Sequence, residues 1–85
     1  MKIMHYIYVL KSLKDEGVYV GRTENLNKRL QEHYKGRVES TKERRPLRFI
    51  YVEISHNIKD VIHREKYLKT AWGKRYLKHR LKNDA

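Results

Sequence analysis

Residues 3–34, IMHYIYVLKSLKDEGVYVGRTENLNKRLQEHY, decide how this chain folds. From Ile3 to Leu10 the side chains alternate. Ile3, His5, Ile7 and Val9 point one way, and Met4, Tyr6, Tyr8 and Leu10 the other. With β-branched and aromatic residues throughout, this alternation is that of a strand. Lys11 to Gly17 is polar, and Asp15-Glu16-Gly17 is a turn signal. Val18, Tyr19 and Val20 form a short second strand that ends at Gly21, so the first two strands are expected to pair as an antiparallel hairpin. Thr23 or Asn25 can cap a helix that runs to about Tyr34. Leu26 and Leu30 give that helix its apolar side, and Gly36 is its expected C′ residue.

Outward from this stretch, residues 37–46 form a polar, basic loop ending in Arg44-Arg45-Pro46. A loop of that length in a small domain is often functional. Leu47 to Ile54 has the composition of a third strand. Asn57, followed by Asp60, resembles a capping box and opens a second helix with an apolar stripe of Ile58, Val61, Ile62 and Leu68. Trp72-Gly73 is expected to break or bend it, and Lys74 to Asn83 to continue as a strongly basic third helical segment. The order β-β-α-β-α-α predicts an α+β fold in which helices pack on an antiparallel sheet. At 85 residues the chain is expected to be a single domain, 1–85.

Charge narrows the partners. Lysine and arginine number 21 against 10 acids, a net charge of +11. Such an imbalance repels itself unless a polyanion is the partner, which favours nucleic acid. The cations cluster in the 37–46 loop, with Lys42, Arg44 and Arg45, and in the last segment, with Lys74, Arg75 and Lys78; Arg22 adds another at the end of the second strand. These residues are the candidate nucleic-acid contacts. The chain has no cysteine, so disulfides and thiolate metal sites are excluded, and a reducing compartment is the expectation. Its apolar runs are too short to span a membrane. A cytoplasmic protein without a membrane partner is therefore expected.

Five residues carry candidate chemistry. Glu65 falls within the apolar stripe of the second helix, on a face with Ile58, Val61, Ile62, Leu68 and Trp72. A carboxylate there needs a cationic partner or a metal ion. Mg²⁺ needs only one or two carboxylates when water and substrate phosphates complete its shell. The plainer alternative is a salt bridge to a neighbouring lysine or arginine. Arg29 and His33 lie one helical turn apart. A guanidinium can hold a phosphate bidentately, and an imidazole can position or relay a proton. Tyr8 and Tyr19 sit on strands expected to pair. A phenol is a poor base unless a nearby cation lowers its pKa, and strand tyrosines are commonly packing residues.

Taken together, these residues resemble the GIY-YIG nuclease family. Tyr6-Ile7-Tyr8 stands where Gly-Ile-Tyr is usual, and Tyr19-Val20-Gly21 stands for Tyr-Ile-Gly. The segment from Val20 to Leu30 is similar to the family's strand-to-helix segment, with the family arginine at Arg29. His33 matches a histidine one turn later, and Arg64-Glu65-Lys66 resembles the segment with the metal-binding glutamate. Ser40-Thr41-Lys42 and Arg45-Pro46 are similar to runs found in the small stand-alone bacterial members. The first motif departs from the pattern in having Tyr6 for glycine. Asn83 is the single late candidate for an asparagine that some members carry, and it is not assigned.

The resemblance implies a three-stranded antiparallel sheet flanked by helices and metal-dependent endonucleolytic cleavage of DNA, structure-selective or nonspecific, of a kind used in DNA repair or recombination. It implies one ion, Mg²⁺ or Mn²⁺, on Glu65, and Arg29 on the scissile phosphate. Tyr8 is the first candidate for general base, with Tyr19 supporting or sharing that role and His33 assisting. The alternative is a non-catalytic basic module that binds DNA or RNA.

Overall fold

A computed structural model of the chain describes residues 3–84. Three strands and three helices follow the expected order: β1 (His5–Ser12), β2 (Val18–Thr23), α1 (Leu26–Tyr34), β3 (Leu47–Ser55), α2 (Ile58–Leu68) and α3 (Ala71–Arg80). The sheet order is β2-β1-β3, with both pairings antiparallel. β1 is therefore central, and it is covered on both faces.

Alternation along β1 divides the core in two. Ile7 and Val9 join Val20, Val61, Leu68 and Leu77 on the face covered by α2 and α3. Tyr8 and Leu10 join Leu30 on the opposite face, under α1, with Tyr19, Leu26 and Leu47 packed beside them. Completely burying an aliphatic side chain of this size contributes about 1.5–3 kcal/mol. The three layers are α1, the sheet, and the α2–α3 pair.

The β1–β2 turn forms at Asp15-Glu16-Gly17, and Glu16 rather than Gly17 takes the left-handed conformation, at φ 60. The Asp15 side chain accepts a hydrogen bond from the Gly17 amide at 2.8 Å, fixing the turn locally. Asn25 is the cap of α1; its side chain accepts from the Lys28 amide at 3.2 Å. At the other end Gly36, at φ 75, is the C′ residue. The Gly36 and Arg37 amides donate to the His33 and Glu32 carbonyls, the paired bonds of a Schellman ending.

Residues 37–46 are ordered by contacts with the rest of the domain. A short 3-10 turn, Lys42–Arg44, lies within them. Ser12 donates to the Arg44 carbonyl at 2.6 Å, and the Leu13 amide donates to the Pro46 carbonyl at 2.8 Å. Arg44 pairs with Asp15 at 2.7 Å, and Val38 and Thr41 are buried beneath the loop.

The break between the last two helices lies earlier than Trp72-Gly73. Thr70 caps α3, its hydroxyl accepting from the Gly73 amide at 3.1 Å. Gly73 lies in the first turn of α3, where its lack of a side chain lets the helix approach the end of α2. A Cβ there would overlap the Tyr67 carbonyl oxygen and the Leu68 backbone. This early turn also removes Trp72 from the stripe of α2: it sits on α3 and faces solvent.

Candidate functional site

Strand β2 is the sheet edge on which the candidate residues converge from both faces. Its residues alternate, so Tyr19 points to the α1 side, opposite Leu10, and Arg22 to the α2 side, opposite Ile7. Three residue steps along the strand separate them by about 10 Å. Gly21, between them, pairs with Tyr8. A Cβ at Gly21 would collide with the Tyr8 phenol and come within 2.9 Å of Tyr19 Cε2, so glycine is what lets the Tyr8 ring lie across the strand.

On the α1 side four candidates meet. Tyr8 is 1% exposed, and its hydroxyl lies 2.8 Å from His33 Nε2. The Tyr8 and Tyr19 rings pack around the His33 imidazole with centroids at 5.4 and 5.1 Å. The other imidazole nitrogen, Nδ1, lies 2.8 Å from the hydroxyl of Thr41, which is also buried. Tyr8, His33 and Thr41 thus form a hydrogen-bonded chain from the central strand through α1 to the basic loop. Arg29 is 37% exposed and lies beside the Tyr8 hydroxyl. It also pairs with Glu32 at 3.0 Å. Tyr19 and Arg29 are the partly exposed members of the group.

Burial sets the protonation of this group. It pushes the Tyr8 phenol up to about 12, against the pull of the Arg29 guanidinium. It pulls His33 down to about 4, and the positive charge of Arg29 acts in the same direction. At neutral pH both are uncharged. The unfolded chain takes up a proton at an ordinary histidine pKa, about 6.5, whereas the folded chain does so only near 4. Stability should therefore be full above about 6.5 and fall as pH drops through this window, by about 2 kcal/mol between pH 7.5 and 5. Urea unfolding at the two pH values measures the loss, and a His33→Gln variant should show a smaller one.

On the α2 side stands Glu65. Its side chain is 15% exposed and carries two cations: Arg22 Nε lies 3.2 Å from Oε1, and Lys69 Nζ lies 3.3 Å from Oε2. The salt bridge expected as the plainer alternative is present, made by two partners. Neighbouring Arg64 serves packing. It donates to both Glu53 oxygens at 2.9 Å and lies over the Tyr76 and Tyr67 rings, tying α2 to β3 and α3. Among the described residues no three His, Cys, Asp or Glu side chains cluster as metal ligands. The donor set fits an ion that takes one carboxylate and completes its shell from water and phosphate, as Mg²⁺ does, rather than a protein-caged ion.

The basic residues separate into engaged and free groups. Arg44 is held by Asp15, whose carboxyl Arg44 keeps well below the usual range. Lys42 pairs with Glu39 at 3.0 Å, and Arg45 donates to the Lys42 carbonyl at 3.0 Å. Lys74, Arg75 and Lys78 are exposed on α3. Sequence reasoning expected a salt bridge at Glu65 without naming Arg22 or Lys69 as its partners, and it missed the place of Thr41 in the buried chain. The i, i+4 spacing of Glu65 and Lys69 was a readable signal; Thr41 had none besides its motif neighbours.

A sequence model described as the GIY-YIG catalytic domain matches residues 4–80. A UPF0213 protein of Clostridium perfringens is 40% identical over 67 residues, spanning 78% of this chain and 71% of its own. One from Syntrophus aciditrophicus is 37% identical over 67 residues, 76% of each chain. A third, from Staphylococcus saprophyticus, is 35% identical over 75 residues, spanning 87% of this chain and 90% of its own. No solved structure is a significant match. Among the described residues no helix is long and apolar enough to cross a membrane.

Proposed function

The chain belongs to the GIY-YIG catalytic domain family, a family of nucleases, and from that premise we propose that it is a divalent-metal-dependent endonuclease acting on DNA. The observation that carries the proposal is the buried Tyr8–His33–Thr41 chain capped by Arg29. A neutral imidazole locked between two hydroxyls beside a guanidinium is more than packing requires, and it contains the parts for moving a proton at a phosphodiester. The scissile phosphate would lie across the edge of β2, between the groups carried on its two faces.

In this reading Arg29 binds the phosphate and stabilises the charge that builds on its oxygens in the transition state. Tyr19 meets the substrate at the rim and orients the attacking water. With a pKa near 12 the Tyr8 phenol is not ionised at rest. It accepts the proton of water only while passing its own to His33 Nε2. Thr41 accepts from His33 Nδ1–H and so keeps Nε2 free to receive that proton. The new bond joins the water oxygen to phosphorus, the bond from phosphorus to the sugar oxygen breaks, and the departing oxygen takes a proton from solvent water while His33 returns its own through Tyr8. Glu65 would hold one Mg²⁺ or Mn²⁺, which when bound supplies charge neutralisation and a more acidic water. The cations of α3 and of the 37–46 loop hold the backbone and make the DNA contact electrostatic. A structure-selective or nonspecific role in DNA repair or recombination belongs to the same proposal.

The double pairing of Glu65 favours a second reading, a basic module that binds nucleic acid without cutting it, because a structural carboxylate looks the same. Incubation with labelled duplex, nicked, branched and single-stranded DNA and with RNA, in Mg²⁺, Mn²⁺ or EDTA, separates the two. Cleavage of DNA that stops with EDTA supports the nuclease; tight binding without cleavage under every condition supports the module. In both cases log K for duplex DNA should fall with log salt by roughly 0.9 per phosphate contact, and a flat dependence would remove nucleic acid as the partner.

A further inference from the structure

Trp72 is the chain's single tryptophan, and it is 68% exposed on α3. The Arg75 guanidinium carbon lies 4.9 Å from its ring centroid. Nearby aromatics are used differently: Tyr67 and Tyr76 flank Arg64, which Glu53 fixes by two hydrogen bonds. Trp72 has no comparable structural task. A large apolar ring left in water is informative where an exposed smaller residue would not be.

Its surroundings identify the partner. Arg75, Lys78 and His79 of α3, with Lys82 just beyond its end, line an open cleft of about 340 Å³. From Lys66 to Lys82 there is no acidic residue. Trp72 also lies close in sequence to the candidate site: Glu65 is in the last turns of α2, and its partner Lys69 directly precedes the Thr70 cap of α3.

We propose that Trp72, backed by Arg75, is a stacking platform for an unpaired base, so that the nucleic acid this domain takes has a single-stranded segment next to the bond it cuts. The proposal rests on the nuclease reading above and names its substrate class. The cations select a polyanion, and the indole selects among polyanions. Within a duplex each base, the two end pairs apart, is covered on both faces by its neighbours and offers the ring nothing to stack on. An unpaired base exposes a π-face whatever its identity, which gives binding that is selective for structure and tolerant of sequence. Arg75 holds one side of the ring, and its charge adds to the attraction of the phosphates. An acidic protein segment would satisfy the cations but has no need of the indole.

Because Trp72 is the single tryptophan, intrinsic fluorescence reports on this position alone. The wild-type protein in EDTA is titrated with a deoxythymidine oligonucleotide, with a blunt duplex of equal charge, and with poly-glutamate. Binding is followed separately by the anisotropy of end-labelled probes. The single strand should quench the emission strongly, and the duplex should bind with the emission almost unchanged. Trp72→Ala should weaken single-strand binding about 5- to 150-fold and duplex binding less than about twofold, and Trp72→Phe should recover part of the loss. Single-strand binding without quenching, or equal losses on both probes, overturns the platform while leaving the nuclease reading intact. Quenching by poly-glutamate alone assigns the surface to a protein and overturns it too. If no oligonucleotide binds, both readings fall together.

Discussion

Arg29→Ala should lower the single-turnover rate of DNA cleavage by about 10²–10³-fold while affinity for uncut DNA changes less than about threefold. The imbalance follows from what else is present. Exposed Lys74, Arg75 and Lys78 continue to hold the backbone, so ground-state binding survives. Arg29, above the Tyr8–His33 chain, would be the cation aimed at charge that appears only as the phosphate reacts, and losing such a group costs rate rather than affinity. Arg29→Lys should restore little, because an ammonium has no planar fork for two phosphate oxygens. The side chain is partly exposed, so the fold should be retained; a circular dichroism spectrum checks this. A variant that cuts within a few-fold of wild type would remove Arg29 from the mechanism.

Glu65→Gln should have an effect at least as large on cleavage, about 100-fold or more in Mg²⁺, because several kcal/mol of charge stabilisation go with the carboxylate. Stability should respond differently. An acid stranded in an apolar stripe would stabilise the fold when neutralised. Glu65 is not stranded: Arg22 and Lys69 both reach it, so its loss leaves two partly exposed cations without a partner. Pairs of this exposure are worth about 0–1 kcal/mol each, and the thermal midpoint should fall slightly. A collapsed midpoint would mark the triad as structural and favour the non-catalytic module. Normal cleavage at wild-type rate would remove the metal from Glu65.

What the sequence discloses about this domain depends on how local each determinant is. The β1–β2 hairpin, Asn25 as a helix cap and Gly36 as a helix end were legible, because each follows from a few adjacent residues. Trp72-Gly73 misled for a related reason. A tryptophan in register with Leu68 looks like a continuing stripe, and glycine looks like a break. The real stop is the Thr70 cap, and Gly73 answers to a packing contact with α2 that periodicity does not encode. The candidate site was legible as residue types in order. Its connections were not. His33 meets Tyr8 across 25 residues, and Glu65 meets Arg22 across 43, distances that only the closed sheet brings together. Nothing local in the sequence marks loop residue Thr41 as buried; its contact with His33 of α1 comes from the folded path of the loop.

The fastening of residues 37–46 bears on recognition through entropy. A flexible loop of this size that ordered on contact with DNA would lose about 1–2 kcal/mol of backbone freedom per residue at that moment. Here Ser12, Leu13, Asp15 and His33 have already removed that freedom during folding. The loop meets its partner as a preformed template, and encounter leaves little of its backbone still to be arranged.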